Sequence, residues 1–530
     1  MKLKMKPSTS TYALSDLARR WSRENLAEQF IIGRDACHIP DSWTVNRIGG
    51  WYLGRHPSLP LVTIVGDEQL PIGFFLGYVI DSSGELLSSG TVTPSLQSGE
   101  SQTAALENWI YSHGGRFVAA LLTEPHSRIY LDPCGSLSAV YCPPLEIFAS
   151  TPTLVPQEGD TEDLAELARI MNVPFQNGMY PFSLTSRKNV RRLLPNHYLD
   201  LRRWESVRHW PLTDFAISGM TASLLDKIAD RARLQVGALV TRVPVLFRLT
   251  AGQDSRTLLA CAREWADRMT FVTAEHEYPD ETAWLDCSTA RRIARDLRLR
   301  YLTVPCRRPH PADLEEWVYR TGATVGEYRG WRACSTYKQL PIGHADLVTP
   351  ISDLMRGLYW RADDNERTTI EPGRLLERCG TGNHPLGHRA VTDWLESLPT
   401  QNPFLTLSLF SIEQRLGCWG GVIPYAYNDG GRFQVFAFCH REIITAMMSL
   451  PTERRREDSL QKELIERQWP ELAAYPFSQA RGFQKVGLAV YRAHAYPAAI
   501  ALRVKRTVLH PVDAIHRILG RFRQLVSWWH

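Results

Sequence analysis

The run Val243-Pro-Val-Leu-Phe-Arg-Leu-Thr250-Ala251-Gly252-Gln253-Asp254-Ser255-Arg256 joins an apolar strand to a turn of small residues and then to the start of a helix. Such a junction suits a phosphate. The first N–H groups of a helix have no intrahelical acceptor, the helix dipole is positive at that end, and a glycine lets the backbone come close to the anion. Asp254 places a carboxylate beside it, a ligand type that holds a magnesium ion bridging phosphate oxygens. The plain alternative is an ordinary strand-to-helix turn in which Asp254 or Ser255 is the N-cap. The run lacks the Gly-Lys-Ser/Thr of a Walker loop and the three spaced glycines of a dinucleotide fingerprint.

The flanking pattern predicts what must hold this loop. Met269-Thr-Phe-Val272-Thr-Ala reads as a second strand, Glu281 to Leu299 as a helix with an apolar or small face, and Arg300-Tyr-Leu-Thr-Val-Pro as a third strand. That alternation implies a parallel, doubly wound sheet with its ligand at the carboxyl ends of the strands. The first ~210 residues read instead as short strands, among them Phe74–Asp81, Gly115–Leu122, Ser127–Asp132 and Leu137–Tyr141. At 530 residues the chain exceeds one core, and the boundary falls between 1–212 and 213–530.

Composition excludes several classes. With 44% hydrophobic and 22% charged residues the chain is that of a large globular enzyme, and a net charge of +5 does not single out nucleic acid as a partner. Ten cysteines without a CxxC pair or zinc-like spacing point to a reduced, cytoplasmic setting. No apolar stretch of about 18 residues is present, so no membrane span is expected. The basic, amphipathic tail 515–530 reads as a helix packed on its own domain, with a membrane surface or a partner protein as the other use of such a helix.

The Thr250–Ser255 run resembles the Ser-Gly-Gly-x-Asp-Ser pyrophosphate loop of ATP-pyrophosphatase enzymes, with Thr250 and Ala251 in place of the first Ser and Gly. Upstream, Gly115-Arg-Phe, Arg128-Ile-Tyr-Leu-Asp132, Ser138-Ala-Val-Tyr, Ile147-Phe-Ala-Ser150 and Leu193-Leu-Pro195-Asn-His-Tyr-Leu follow the order of the glutaminase domain of asparagine synthetases. The chain thus resembles the asparagine synthetase-like group, which includes β-lactam synthetases and lasso-peptide cyclases. The resemblance implies an N-terminal αββα Ntn-hydrolase-like sandwich, a doubly wound ATP-pyrophosphatase domain and a helical C-terminal part. It also implies ATP and Mg2+, with Thr250, Ala251, Gly252, Gln253, Asp254, Ser255 and Val272 at the nucleotide. Family glutaminases need a cysteine at the mature N-terminus, whose thiolate attacks the amide. Residue 2 is Lys and the first cysteine is Cys37, followed by His-Ile-Pro, so a scaffold without glutaminase activity is expected.

By the same resemblance, Thr349-Pro350-Ile351-Ser352-Asp353-Leu354-Met-Arg-Gly357-Leu-Tyr359 lines up with Gly-Glu-Gly-Ala-Asp-Glu-Leu-Phe-Gly-Gly-Tyr. Asp353 is then a second magnesium ligand beside Asp254, or else the cap of a helix starting near Leu354. Pro350 replaces a glutamate that handles ammonia, and a proline can neither take up a proton nor donate one from its backbone nitrogen. Glu413, on the helix expected over 407–419, becomes the candidate base for an amine, against a surface glutamate paired with Arg415 or Arg441. Lys462 and Lys485 are the candidate phosphate-gripping and catalytic lysines. Phe477 stands where a lysine is usual, and the run Arg454-Arg-Arg456 is otherwise a solvated face.

The resemblance implies an ATP-dependent ligase that adenylates a carboxylate, releases pyrophosphate and forms an amide with an amine of a small molecule or peptide. Asparagine synthase, fed by ammonia or glutamine, and a nucleotide-binding regulator are the alternatives. A homodimer is admitted as its assembly.

Overall fold

Trp51-Tyr-Leu-Gly-Arg55 and Pro71-Ile-Gly-Phe-Phe-Leu-Gly-Tyr-Val-Ile80 are rich in the β-branched and aromatic residues that fit a pleated, half-buried surface, and both are strands. The computed structural model describes residues 13–478 except 67–68, 97–100, 125–126, 159, 175–177, 277–279, 308–309, 327–335 and 428–430. Lys485 and the tail 515–530 lie outside the described residues.

The N-terminal part is built from two sheets. In the first, Phe30–Gly33 is central, between Ile147–Ala149 and Trp51–Arg55, with Ala139–Cys142, Arg191–Leu193 and Thr44–Ile48 farther out. In the second, the long Pro71–Ile80 strand pairs antiparallel with Gly114–Leu121, which continues through Arg128–Leu131 to His197–Asp200 and Glu205–Arg208. Phe30, Ile32 and Trp51 of one sheet and Phe74, Leu76 and Val118 of the other share one buried cluster, so the sheets pack face to face. Helix Gln102–Tyr111 covers the outer face of the second sheet through Leu106 and Ile110. The outer face of the first is covered by the C-terminal part, where Trp317 and Val422 pack with Ile31 and Val140. That face is therefore covered by residues from later in the chain.

Each expected strand of the second part forms: Val245–Arg248, Met269–His276 and Tyr301–Cys306, joined by His344–Val348 and Arg432–Phe436. All pair in parallel. Helix Glu281–Asp296 begins where Asp280 accepts a hydrogen bond from Ala283 N at 2.8 Å, a local stop signal for the preceding loop. Spatially, Tyr301–Cys306, Met269–His276 and Val245–Arg248 run to one side, and His344–Val348 and Arg432–Phe436 lie on the other. The order of winding reverses between Val245–Arg248 and His344–Val348, and the crevice outside such a switch point is where open α/β sheets bind ligands. Both candidate aspartates follow these two strands. No helix among the described residues is long and apolar enough to cross a membrane.

Candidate nucleotide site

Leaving its strand at Arg248, the chain makes a turn that closes on itself. Ser255 Oγ accepts from Thr250 N at 3.2 Å and lies 3.0 Å from Thr250 Oγ1, which accepts from Gly252 N at 3.1 Å. Ala251 N donates to Asp286 Oδ1 at 2.9 Å. Three N–H groups of the loop are thus bonded within the protein, and those of Gln253, Asp254 and Ser255, first in helix Gln253–Cys261, are the ones without an intrahelical acceptor. Gly252 is the N-cap, so neither Asp254 nor Ser255 caps the helix. Its φ of −73° needs no glycine. A Cβ there would meet Thr250 Oγ1 at 3.2 Å, a tight contact that the hydroxyl would have to ease by a few tenths of an ångström.

Arg256 anchors the loop from below. Fully buried, it donates to Ala251 O at 2.6 Å, Tyr475 O at 2.9 Å and Pro476 O at 3.1 Å, and its guanidinium stacks 3.6 Å from the centre of the Phe477 ring. Phe477 therefore holds an arginine in place at the position where the resemblance expects a lysine.

From the other side of the switch point, the 3₁₀ turn Pro350–Met355 carries Asp353, which is 3% exposed. Thr349, not Asp353, precedes that turn, so Asp353 is no cap. Asp254 and Asp353 are brought together through Arg356, whose Nη2 lies 3.0 Å from Asp254 Oδ2 and whose Nε donates to Asp353 Oδ1 at 2.8 Å. Asp353 Oδ2 pairs with Arg415 Nη1 at 2.7 Å, and the same guanidinium nitrogen donates to Pro350 O at 3.1 Å. Asp254 Oδ1 accepts from Ser352 Oγ at 2.7 Å and from Gln461 Nε2 at 2.8 Å. Burial, then the neighbouring Asp353 charge, pushes the Asp254 carboxyl up, and Arg356, Gln461 and Ser352 offset part of this.

These residues do not fit the two magnesium ions that the resemblance assigns to them. Magnesium is usually held by one or two carboxylates together with substrate phosphates. Here every oxygen of the two carboxylates already takes a hydrogen bond or ion pair, and two guanidinium groups balance the two negative charges. Among the described residues no three His, Cys, Asp or Glu side chains are grouped to hold a metal.

Beside the loop, a cavity of about 500 Å³ opens at the carboxyl ends of the first two parallel strands, lined by Arg248, Thr250, Val272, Asp286, Tyr337 and Tyr427 among others. Val272 and Thr250 thus share one cavity. Its floor is tied by Arg248 to Asp346 at 2.9 Å and by Tyr337 OH to Asp346 at 2.6 Å. Lys462 is half-buried on helix Leu460–Gln468, next to Gln461, which reaches Asp254.

Glu413 is elsewhere in the architecture and does something else. The expected 407–419 helix is an α-helix, Pro403–Phe410, that passes into a π-helix, Ser411–Gly420. From the π-helix Arg415 reaches Asp353, whereas Glu413 turns fully buried toward Asn196 and Arg208. Its oxygens accept from Arg208 Nη1 at 2.8 Å, Arg208 Nη2 at 2.7 Å, Asn196 Nδ2 at 2.9 Å and Trp394 Nε1 at 2.6 Å. Burial alone would raise its pKa, but the Arg208 guanidinium and the other donors outweigh this and hold the carboxyl below its usual range. A carboxylate so saturated is a poor base and is no surface residue. Its partner is neither Arg415 nor Arg441. The solvated-face reading of 454–456 is also corrected at Arg455, which is 2% exposed and donates to Leu354 O at 2.7 Å and Ser408 Oγ at 2.8 Å.

Cys37 sits just after the central Phe30–Gly33 strand, so maturation that exposed it as an N-terminus would delete the middle of a sheet. Its thiol is pushed up, by desolvation and by Asp35, the reverse of what a nucleophilic thiolate needs.

Two buried histidines also carry a pH signature. Burial, ahead of all other causes, lowers the pKa of His197 and of His440 to about 4. Unfolded histidine titrates near 6.5, so between about pH 6.5 and 4 the unfolded chain binds protons that the folded one does not. Stability is then complete above about pH 6.5 and falls as the pH drops through that window. Urea midpoints measured from pH 7.5 to 4.5 are expected to decline steadily, and a flat profile down to pH 5 would contradict these placements.

Comparison with models of known protein families and with curated proteins finds no match to this chain.

Arg356, Arg415, Gln461 and Asp286 are the site residues that sequence reading missed. Arg356 had a signal: it stands at the Phe of the motif that Asp353 was aligned on, and a charge at an apolar position asks for a partner.

Proposed function

We propose that this protein is an ATP-dependent ligase that adenylates a carboxylate, releases pyrophosphate and joins the acyl group to an amine, without hydrolysing glutamine. The observation that carries this reading is the placing of the cavity lined by Thr250 and Val272 at the carboxyl ends of Val245–Arg248 and Met269–His276, directly beside the loop that leads to Asp254. A nucleoside in that cavity would direct its phosphates toward the free N–H groups at the start of helix Gln253–Cys261. A substrate carboxylate oxygen would then attack the α-phosphorus as the bond to the β-phosphate breaks. Amine attack on the acyl carbon would expel AMP.

The amine-activating base is not Glu413, for the reasons of geometry given above, and Pro350 offers only a carbonyl, already bonded to Arg415. The second point weighs against asparagine synthase, and the first leaves the amine to be activated by another group. A nucleotide-binding regulator is the second reading, favoured by the neutralised aspartate pair. Exchange of labelled pyrophosphate into ATP, run with a panel of amino acids and peptides bearing free carboxylates, separates the two. Exchange that depends on one class of acid is the expected result. ATP binding with no exchange for any acid would leave the regulator.

A further inference from the structure

The cation between the two phosphate-side loops is one that the chain carries itself. Arg356 bridges Asp254 and Asp353, Arg415 closes the remaining oxygen of Asp353, and Ser352 and Gln461 close that of Asp254. A divalent ion entering there would have to displace a guanidinium from a carboxylate at least once, and it would meet two carboxylates already paired with two guanidinium groups. A third carboxylate, Asp458, accepts from Gln253 Nε2 at 2.8 Å and adds its charge, behind those of Asp254 and Asp353, to the surroundings of Arg356.

We infer that Arg356 takes the place of a metal ion at this site: Asp254 and Asp353 do not form a divalent-cation site in the folded protein, and Arg356 masks a latent one. With Arg356 gone, Asp254 and Asp353 keep one guanidinium, Arg415, between them, and the excess negative charge together with freed oxygens on both aspartates is what a hard cation selects. The inference deepens the ligase reading by naming the cation at its phosphate end and rests on that reading for the purpose of the site.

Mn2+ binding to the full chain, followed by calorimetry or by the paramagnetic signal of the free ion with no nucleotide present, tests it. Wild type is expected to show no saturable site below roughly 1 mM, the weak end of protein cation affinities. Arg356→Gln is expected to gain one site at least ~10-fold tighter, and the added change Asp353→Asn to remove it. Arg356→Lys keeps the charge and is expected to gain none. A wild-type Mn2+ site that Asp353→Asn abolishes would overturn the inference, and that arm needs no Arg356 variant to fold. So would an Arg356→Gln protein with wild-type urea unfolding and no new site. Because no nucleotide takes part, failure here leaves the pyrophosphate-exchange result to be judged separately.

Discussion

Glu413→Ala is expected to destabilise the protein by about 3–5 kcal/mol, because it strips a buried arginine side chain of the carboxylate it pairs with. Arg208 is 6% exposed at its side chain and Glu413 is fully buried, so water cannot replace the lost partner. Asn196 Nδ2 and Trp394 Nε1 would lose their acceptor as well, and an unsatisfied buried donor carries its own desolvation cost. Set against whole-protein stabilities of about 5–15 kcal/mol, the loss is severe. The network joins the two halves of the chain: Arg208 and Asn196 come from the end of the N-terminal part, Glu413 and Trp394 from the C-terminal part, and Arg441 Nη1 reaches Asn196 Oδ1 at 2.8 Å. Loosening at the boundary should therefore appear first, as faster limited proteolysis and a lower urea midpoint. In a double-mutant cycle, Glu413→Ala with Arg208→Ala should be little worse than Glu413→Ala alone, since the orphaned charge is removed. A Glu413→Ala protein that unfolds like wild type yet has lost amide formation would restore the base and discard the latch.

What could be read in the sequence was local. The Val245–Arg248 strand, the small-residue turn and helix Gln253–Cys261 follow from an apolar run, a turn and a helical period that lie next to one another, and helix Glu281–Asp296 from its apolar face. The strand at Phe30–Gly33 was not foreseen, since four buried residues between polar segments carry too little alternation to declare themselves. The site escaped where it depends on residues far apart in the chain. Nothing near Glu413 indicates Arg208, 205 positions earlier, and an exposed helix pairing with Arg415 is what neighbourhood alone suggests. Arg455 looked solvated because it sits among charged residues, yet its helix turns that one side chain into the space between Leu354 and Ser408. Periodicity identifies apolar faces. It says little about a buried charge whose partner comes from another element.

Asp254→Asn is expected to lower pyrophosphate exchange by ~10²-fold or more while leaving the urea midpoint near that of wild type. The side chain is the hinge of the electrostatic arrangement: Oδ2 takes Arg356, and Oδ1 takes Ser352 and Gln461. An asparagine keeps the size and one carbonyl oxygen but turns the other acceptor into an NH2 group, which would point two more hydrogens at a guanidinium or at two existing donors. Arg356 would keep Asp353 and lose its second anchor, so the positive charge that should face the departing pyrophosphate would no longer be fixed before the reaction begins. Asp254 is partly exposed at its side chain, and hence the fold is expected to tolerate the change. Asp353→Asn should reduce exchange by a similar factor, and the double variant should be little worse than either, because the two carboxylates hold one arginine and act as a unit. Multiplying losses in the double variant would show two independent sites, and full exchange in Asp254→Asn would remove this loop from the chemistry altogether.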